Sequence, residues 1–153
     1  MDKIRLKGSY TYKVFKDGKL IRKSPVIENL IVLNQHNGLY IIMSRLLGIK
    51  THDLEITSAE IGTGDTAPTI ENTQLQTAVL TDIPIALKER ISDSDIKFTF
   101  FINNKELANG DYKEFALRCG TQLFARSIIE PTFTKSEGED FRLDYNIKII
   151  SES

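Results

Sequence analysis

The chain has 153 residues, of which 41% are hydrophobic and 27% charged, and its formal net charge is −1. This composition is typical of one globular domain with a sizeable core, and it excludes the strong positive field that recruits nucleic acid. Apolar runs are too short to cross a bilayer, and the single cysteine, Cys119, excludes an internal disulfide and a multi-cysteine zinc site. We therefore predict one domain over residues 1–153, made in a reducing compartment, with no membrane insertion.

Residues 4–15 alternate between apolar and polar side chains, which predicts a strand with one buried face. Asp17-Gly18 follows and favours a hairpin turn, because both central positions of a type I′ turn need residues that tolerate positive φ. Residues 19–23 predict the returning strand, which Pro25 ends. The face expected to be buried comprises Ile4, Leu6, Tyr10, Tyr12 and Val14, and the opposite face comprises Arg5, Lys7, Ser9, Thr11 and Lys13.

Residues 37–47 predict the one convincing helix, since apolar residues recur at the helical spacing i, i+3, i+4, i+7 and i+8. Asn34 or Asn37 is suited to cap its start, and Gly48 lies where a left-handed C-terminal cap is expected. We expect this helix to pack across an end or a face of the sheet. Its apolar stripe comprises Leu39, Ile42, Met43, Leu46 and Leu47.

The remaining chain predicts strands separated by turns that contain Gly, Asn, Asp or Pro. Pro84 interrupts one of these segments and indicates a sheet edge or a bulge. Seven or eight short antiparallel strands predict a mainly-β fold, an antiparallel β-sandwich with one short α-helix packed on it. The predicted segments are 54–61, 79–91, 96–102, 112–119, 121–134 and 141–149, with Lys113, Phe115, Leu117 and Cys119 sharing one side of the fourth.

The stretch EIGTGDTAPTIENTQL, residues 60–75, matches the loose dinucleotide pattern G-x-G-x-x-A from Gly62, with Asp82 lying 20 residues beyond it. In that motif the glycines open a long helix whose N-terminus holds a pyrophosphate. Here Pro68 follows directly, and residues 69–76 contain only two large apolar side chains, so no such helix is expected. We predict that Gly62, Gly64 and Pro68 shape a tight loop between strands, with no cofactor.

Catalytic and metal sites find little support in the residue pattern. Cys119 shares a predicted strand face with apolar residues and is interpreted as a buried small hydrophobe. Neither His36 nor His52 has a carboxylate at a spacing that would orient it, and two histidines are too few for a convincing metal site. The acidic residues at 93–95 and 136–140 do not match the twelve-residue calcium loop. We predict no catalytic residue and no metal, although an enzyme with an unrecognised polar pocket stays an alternative.

The N-terminal hairpin, residues 1–25, carries eight Lys and Arg residues against two Asp residues. Lysines on an exposed edge hairpin deter strand-to-strand aggregation, which is the favoured interpretation. Nucleic acid is disfavoured because Tyr10 and Tyr12 are expected on the face opposite the cations, whereas a base-stacking surface needs both together. The second interpretation is a docking surface for an acidic partner, formed by Arg5, Lys7, Lys13, Lys16 and Lys19.

The order of short motifs along the chain resembles small structural domains of tailed-phage virions, found in tail-fibre, baseplate and related tail proteins. The resemblance covers roughly residues 26–150. It departs from the pattern at Leu107-Ala108 and at Arg118-Cys119. The motifs are ENLI at 28–31, NGL at 37–39, IGTGDTAP at 61–68, NTQL at 72–75, ELANG at 106–110, KEFAL at 113–117, LFAR at 123–126 and TFTK at 132–135.

This resemblance implies a non-enzymatic virion component of the tail, baseplate, collar or fibre-attachment region. It would be made in the bacterial host cytoplasm, assemble as a symmetric homo-oligomer such as a ring or trimer, and dock other tail or neck proteins, without a small-molecule substrate. The alternative is a receptor- or carbohydrate-binding β-sandwich module of a phage tail. Its candidate exposed aromatic residues are Tyr40, Phe101 and Phe133, although tryptophan is absent from the chain.

Overall fold

The computed structural model describes residues 3–31 and 38–152, which form a mainly-β fold with one short helix, as expected. The helix is α1 (Gly38–Leu46). The strands are β1 (Lys3–Lys16), β2 (Lys19–Lys23), β3 (Ile27–Ile31), β4 (Ser58–Gly62), β5 (Ala78–Ser92), β6 (Asp95–Ile102), β7 (Gly110–Cys119), β8 (Gln122–Lys135) and β9 (Glu139–Glu152).

The strands of the described residues form one antiparallel sheet in the order β2-β1-β3-β8-β7-β4-β5-β6-β9. β1 also pairs with β9 from Lys3↔Glu152 to Lys16↔Glu139, so the series of pairings returns to its start and the sheet curls around an interior. The mainly-β, antiparallel expectation is confirmed. The sandwich is not confirmed, because the strands belong to one continuous curled sheet.

Two strands turn corners by changing partners along their length. β3 pairs with β1 through residues 27–29 and with β8 through residues 30–31. β5 pairs with β4 up to Pro84 and with β6 from Ile85 onward. Pro84 therefore lies at the changeover, where its missing N–H is least costly, and Asp82 nearby has a positive φ of 54°. These bends curl the sheet.

The core lies on the inward faces of β1, β6, β7, β8 and β9, where aromatic rings dominate. Phe133 stacks on Phe141 with centroids 4.3 Å apart, and Tyr10 stacks on Tyr145 at 5.8 Å. The predicted alternation in β1, β6 and β9 holds for most positions. The expectation is wrong near one end of the ladder of β1 and β9, where Ile4 and Ile149 are 74% and 52% exposed.

The C-terminal cap of helix α1 is Gly48, as the sequence predicts, and its φ is +78°. The N–H of Ile49 donates to the Ser44 carbonyl at 2.9 Å, which is the hydrogen bond of a Schellman cap. The predicted start of the helix, with Asn34 and Asn37 as caps, lies outside the described residues. Within those residues, no helix combines the length and hydropathy needed to cross a membrane.

The helix does not bury its whole apolar stripe, which corrects the expectation from helical periodicity. Its buried positions are Gly38, Ile41 and Ser44, while Leu39 and Ile42 are half-buried against the core. The other members of the stripe face solvent, with Met43 59%, Leu46 76% and Leu47 78% exposed. Periodicity identified an apolar face, but it could not identify what that face contacts.

Replacing Phe141 by alanine tests the assignment of the core face. Phe141 is 1% exposed and stacks on Phe133, so we expect Phe141→Ala to lower the free energy of unfolding by about 3–5 kcal/mol. Phe101→Ala is the matched control, since Phe101 is 45% exposed on the outward face of β6, and a change within about 0.5 kcal/mol is expected. Urea unfolding measures both, and equal losses would contradict the assignment.

Candidate functional site

Residues 63–77, which we call the glycine loop, connect β4 to β5 and cover the outward face of β7 and β8. Leu75 is 3% exposed and forms a small second core with Ala116 and Leu123. These two strand residues lie on the side of the sheet opposite the main core. β7 and β8 are therefore buried on both faces at this position, which the alternation along the chain does not indicate.

The carboxylate of Glu114, on the outward face of β7, is the centre of this region. Its Oε1 accepts hydrogen bonds from the N–H groups of Gly64 at 3.0 Å and Thr77 at 2.7 Å. Its Oε2 accepts from the N–H of Gln76 at 3.0 Å and from Arg126 Nε and Nη2 at 3.1 and 2.9 Å. Glu114 therefore joins both ends of the glycine loop to the sheet.

Arg126, on β8, completes the network and fixes the middle of the loop. Its Nη2 donates to the Thr66 carbonyl at 2.8 Å, and its Nη1 donates to Asn72 Oδ1 at 3.2 Å. The side chains of Arg126 and Glu114 are 2% and 0% exposed. A buried ion pair is tolerated only when further hydrogen bonds satisfy both groups, and this pair meets that condition.

The glycines permit close approach of the loop backbone to the Glu114 carboxylate. A Cβ atom on Gly62 would collide with the Thr77 carbonyl, and one on either Gly62 or Gly64 would lie 2.7 Å from Glu114 Oε1. Pro68 lies farther along the loop and is half-buried. In a phosphate-binding loop the backbone N–H groups face an external anion, whereas here the protein's own carboxylate takes their hydrogen bonds.

A second ion pair holds the other side of the loop. Arg118 of β7 pairs with Glu60 of β4 at 2.9 Å, and both side chains are largely buried. Arg118 Nη1 also donates to the carbonyls of Thr73 and Thr121 at 3.4 and 3.1 Å. The Leu75 contact is thus flanked by two guanidinium–carboxylate pairs on the same face of the sheet.

The protonation of Glu114 reflects this network. Burial by itself raises the pKa of the carboxyl, but the hydrogen bonds from Thr77, Gln76, Arg126 and Gly64 outweigh it and hold the pKa below the ordinary value of 4.5. The group is therefore ionised at neutral pH, which matches its role as an acceptor.

The structure divides the N-terminal cations between two faces. Arg5, Lys7 and Lys13 lie on the outward face of β1, and Lys7 forms a 2.8 Å ion pair with Glu28. Lys16 and Lys19 pair across the hairpin on the other face of the strand.

The other sequence candidates are not brought together. Cys119 is 2% exposed, as expected, and burial raises the pKa of its thiol to about 12. His36 lies outside the described residues, whereas His52 is half-buried in a turn. Within residues 3–31 and 38–152, no group of three or more His, Cys, Asp or Glu side chains is placed to hold a metal ion.

The aromatic candidates for a carbohydrate-binding surface differ in exposure. Phe133 is fully buried, which corrects its expected exposure, while Tyr40 and Phe101 are exposed.

Glu114 and Arg126 were missed as a pair by sequence reasoning. A usable signal exists at Arg126, which interrupts the apolar run from Leu123 to Ile129 and therefore needs a buried partner. Glu114 has no comparable signal, because a Glu between Lys113 and Phe115 is typical of a solvent-facing strand position.

Comparison of the chain with protein-family models, curated protein sequences and solved structures found no match.

Removing the charge of Glu114 tests the network. Glu114→Gln leaves the Arg126 guanidinium buried without its counter-ion, so we expect a loss of about 3–5 kcal/mol in the free energy of unfolding. The double variant E114Q/R126Q is expected to lose less than the sum of the single variants, because no unpaired charge remains. Glu137→Gln, at an exposed glutamate, serves as the control and should change stability by less than about 0.5 kcal/mol. Additive losses would contradict the coupling.

The lowered pKa of Glu114 also predicts how stability depends on pH. The unfolded glutamate binds a proton near 4.5, and the folded one does so only at lower pH, so stability is full above 4.5 and is lost as pH falls through the folded value. We expect E114Q to differ most from the wild type near neutral pH and to approach it as the pH falls below 4.5 and Glu114 of the wild type becomes protonated. Urea unfolding across this range measures the difference, and a constant difference would oppose the assignment.

Proposed function

We propose that this protein is a non-enzymatic structural subunit of a tailed-phage virion, which assembles with copies of itself and docks other virion proteins. The order of motifs along residues 26–150 is the basis for the virion assignment. The observation that carries the assembly is the outward apolar face of α1. Large exposed apolar patches on a folded domain are typical of surfaces that another protein covers.

This outward face, formed by Met43, Leu46 and Leu47, is the proposed assembly face. Each side chain is more than half exposed, and the chain that follows the helix adds Ile49 at 46% and Leu54 at 42% exposure. Burial of one such side chain against a neighbour contributes about 1.5–3 kcal/mol. If these residues of two copies contact each other, the same surface is used on both, and such a contact produces the symmetric oligomer that the resemblance implies.

The hairpin of β1 and β2 is the proposed surface for a different virion protein. Among the described strands β2 pairs only with β1, so its outer edge has no strand beside it. All five residues of β2 are exposed, including Leu20 and Ile21. Lys16 and Lys19 at the turn favour an acidic partner that adds a strand to this edge.

Charged substitutions on the assembly face test the self-association. The double variant L46E/L47E leaves the core untouched, because both side chains are exposed, but it places repelling carboxylates between subunits. We expect the wild type to elute as a defined oligomer in size-exclusion chromatography with light scattering, and the variant to elute as a monomer.

Leu20→Glu is the matched control, since Leu20 is also a half-exposed leucine but lies on β2. It should retain the oligomer. The proposal would be contradicted by a wild-type protein that stays monomeric at every concentration and that labelling does not detect in purified particles. If L20E alone loses the oligomer, the self-association surface is the hairpin of β1 and β2 and not the assembly face.

A further inference from the structure

A cavity of about 490 Å³ opens at the end of the curled sheet, on the side of the molecule where β5 has left β4. Its floor is apolar and includes Phe98, Cys119, Phe124 and Ile147. Leu54 and Ile56, from the segment before β4, also line the cavity. Small-molecule sites commonly have this size and an apolar lining, and the mouth of a curled β-sheet is a frequent place for them.

Two cations face into this cavity from β5. Lys88 pairs across the sheet with Phe98, and Arg90 pairs with Ile96. Directly paired residues of neighbouring strands share a face, so both cations lie on the side that carries the apolar lining. Both side chains are exposed, so they lie at the open mouth of the cavity, where a cation can meet the head group of a molecule whose apolar part is bound inside.

The charges at the rim leave Arg90 available. Lys88 forms an ion pair with Glu55 at 3.4 Å, and Asp95 lies 3.7 Å from Lys148. Arg90 has no ion pair or hydrogen-bond partner among the described side chains. Asp93, at the tip of the hairpin between β5 and β6, is the remaining acidic residue of the rim.

We propose that this cavity binds a single-chain amphiphile with one anionic head group, such as a medium-chain carboxylate. The aliphatic chain lies against Phe98, Phe124 and Ile147, and the head group pairs with Arg90 at the rim. Burial of the chain supplies most of the affinity, whereas the guanidinium determines its orientation and selects anions over neutral molecules. A cavity of 490 Å³ fits a single chain and not a two-chain lipid. This site adjoins the proposed assembly face, because Leu54 belongs to both and Ile42 of α1 lines the cavity, but it depends on Arg90 and not on Met43, Leu46 or Leu47.

Binding is tested with dodecanoate, which displaces the fluorescent probe 1-anilinonaphthalene-8-sulfonate from the purified protein. We expect saturable displacement by dodecanoate, weaker displacement by dodecanol, and none by vesicles of phosphatidylglycerol. Arg90→Gln should weaken dodecanoate binding about tenfold and remove the preference over dodecanol. Lys97→Gln removes a cation from the outward face of β6 and should bind as the wild type does.

Three further measurements test the charge at the rim and the position of the bound chain. Asp93→Asn should strengthen dodecanoate binding, because it removes a repelling carboxylate from the rim. Methyl chemical shifts of Ile96 and Ile147 should change on titration, and L46E/L47E should bind as the wild type does. Absence of displacement, equal affinity in R90Q and wild type, or shifts confined to Met43, Leu46 and Leu47 would each overturn the proposal.

Discussion

The buried ion pair between Glu114 and Arg126 is the interaction on which the outward side of this fold depends. The carboxylate accepts hydrogen bonds from both ends of the glycine loop, and the guanidinium donates a hydrogen bond to the Thr66 carbonyl in the middle of the loop. Without this pair, the fifteen residues of the glycine loop would keep only the Arg118 hydrogen bond to Thr73 and the Leu75 contact to hold them over β7 and β8. With it, the loop buries Leu75 and covers the outward face of β7 and β8 at Ala116 and Leu123.

The same pair explains why a sequence that resembles a phosphate loop need not bind phosphate. A glycine-rich turn is useful wherever backbone N–H groups must approach an anion closely, whether that anion is a ligand or a side chain. Here the anion is Glu114, which lies 50 residues away along the chain and reaches the loop through the sheet. The motif thus specifies a geometry for anion contact, and the rest of the fold supplies the anion.

The outward face of β7 and β8 is therefore covered where the glycine loop lies, whereas other apolar surfaces of the protein are exposed. The glycine loop and its ion pairs cover β4, β7 and β8, while α1 shows large apolar side chains to solvent and the sheet opens into the cavity beside β5. Proteins that assemble into larger structures commonly combine a rigid body with apolar surfaces left for a neighbour. The proposed assembly face and the proposed amphiphile site both use these exposed apolar surfaces.

The sequence by itself determined the class of the fold, because the signals for it are local and depend only on neighbouring residues. These signals are the period-two alternation in β1, β6 and β9, the Asp17-Gly18 turn and the Gly48 cap. It also marked an apolar face on α1 and a glycine loop without a following helix. Only the tertiary structure decided what those features contact. Strand pairing across the curled sheet placed Glu114 beneath the glycine loop and brought Arg90 to the cavity, and the packing of α1 against β8 left Leu46 and Leu47 exposed. Such contacts join residues distant in the chain, and no local pattern encodes them.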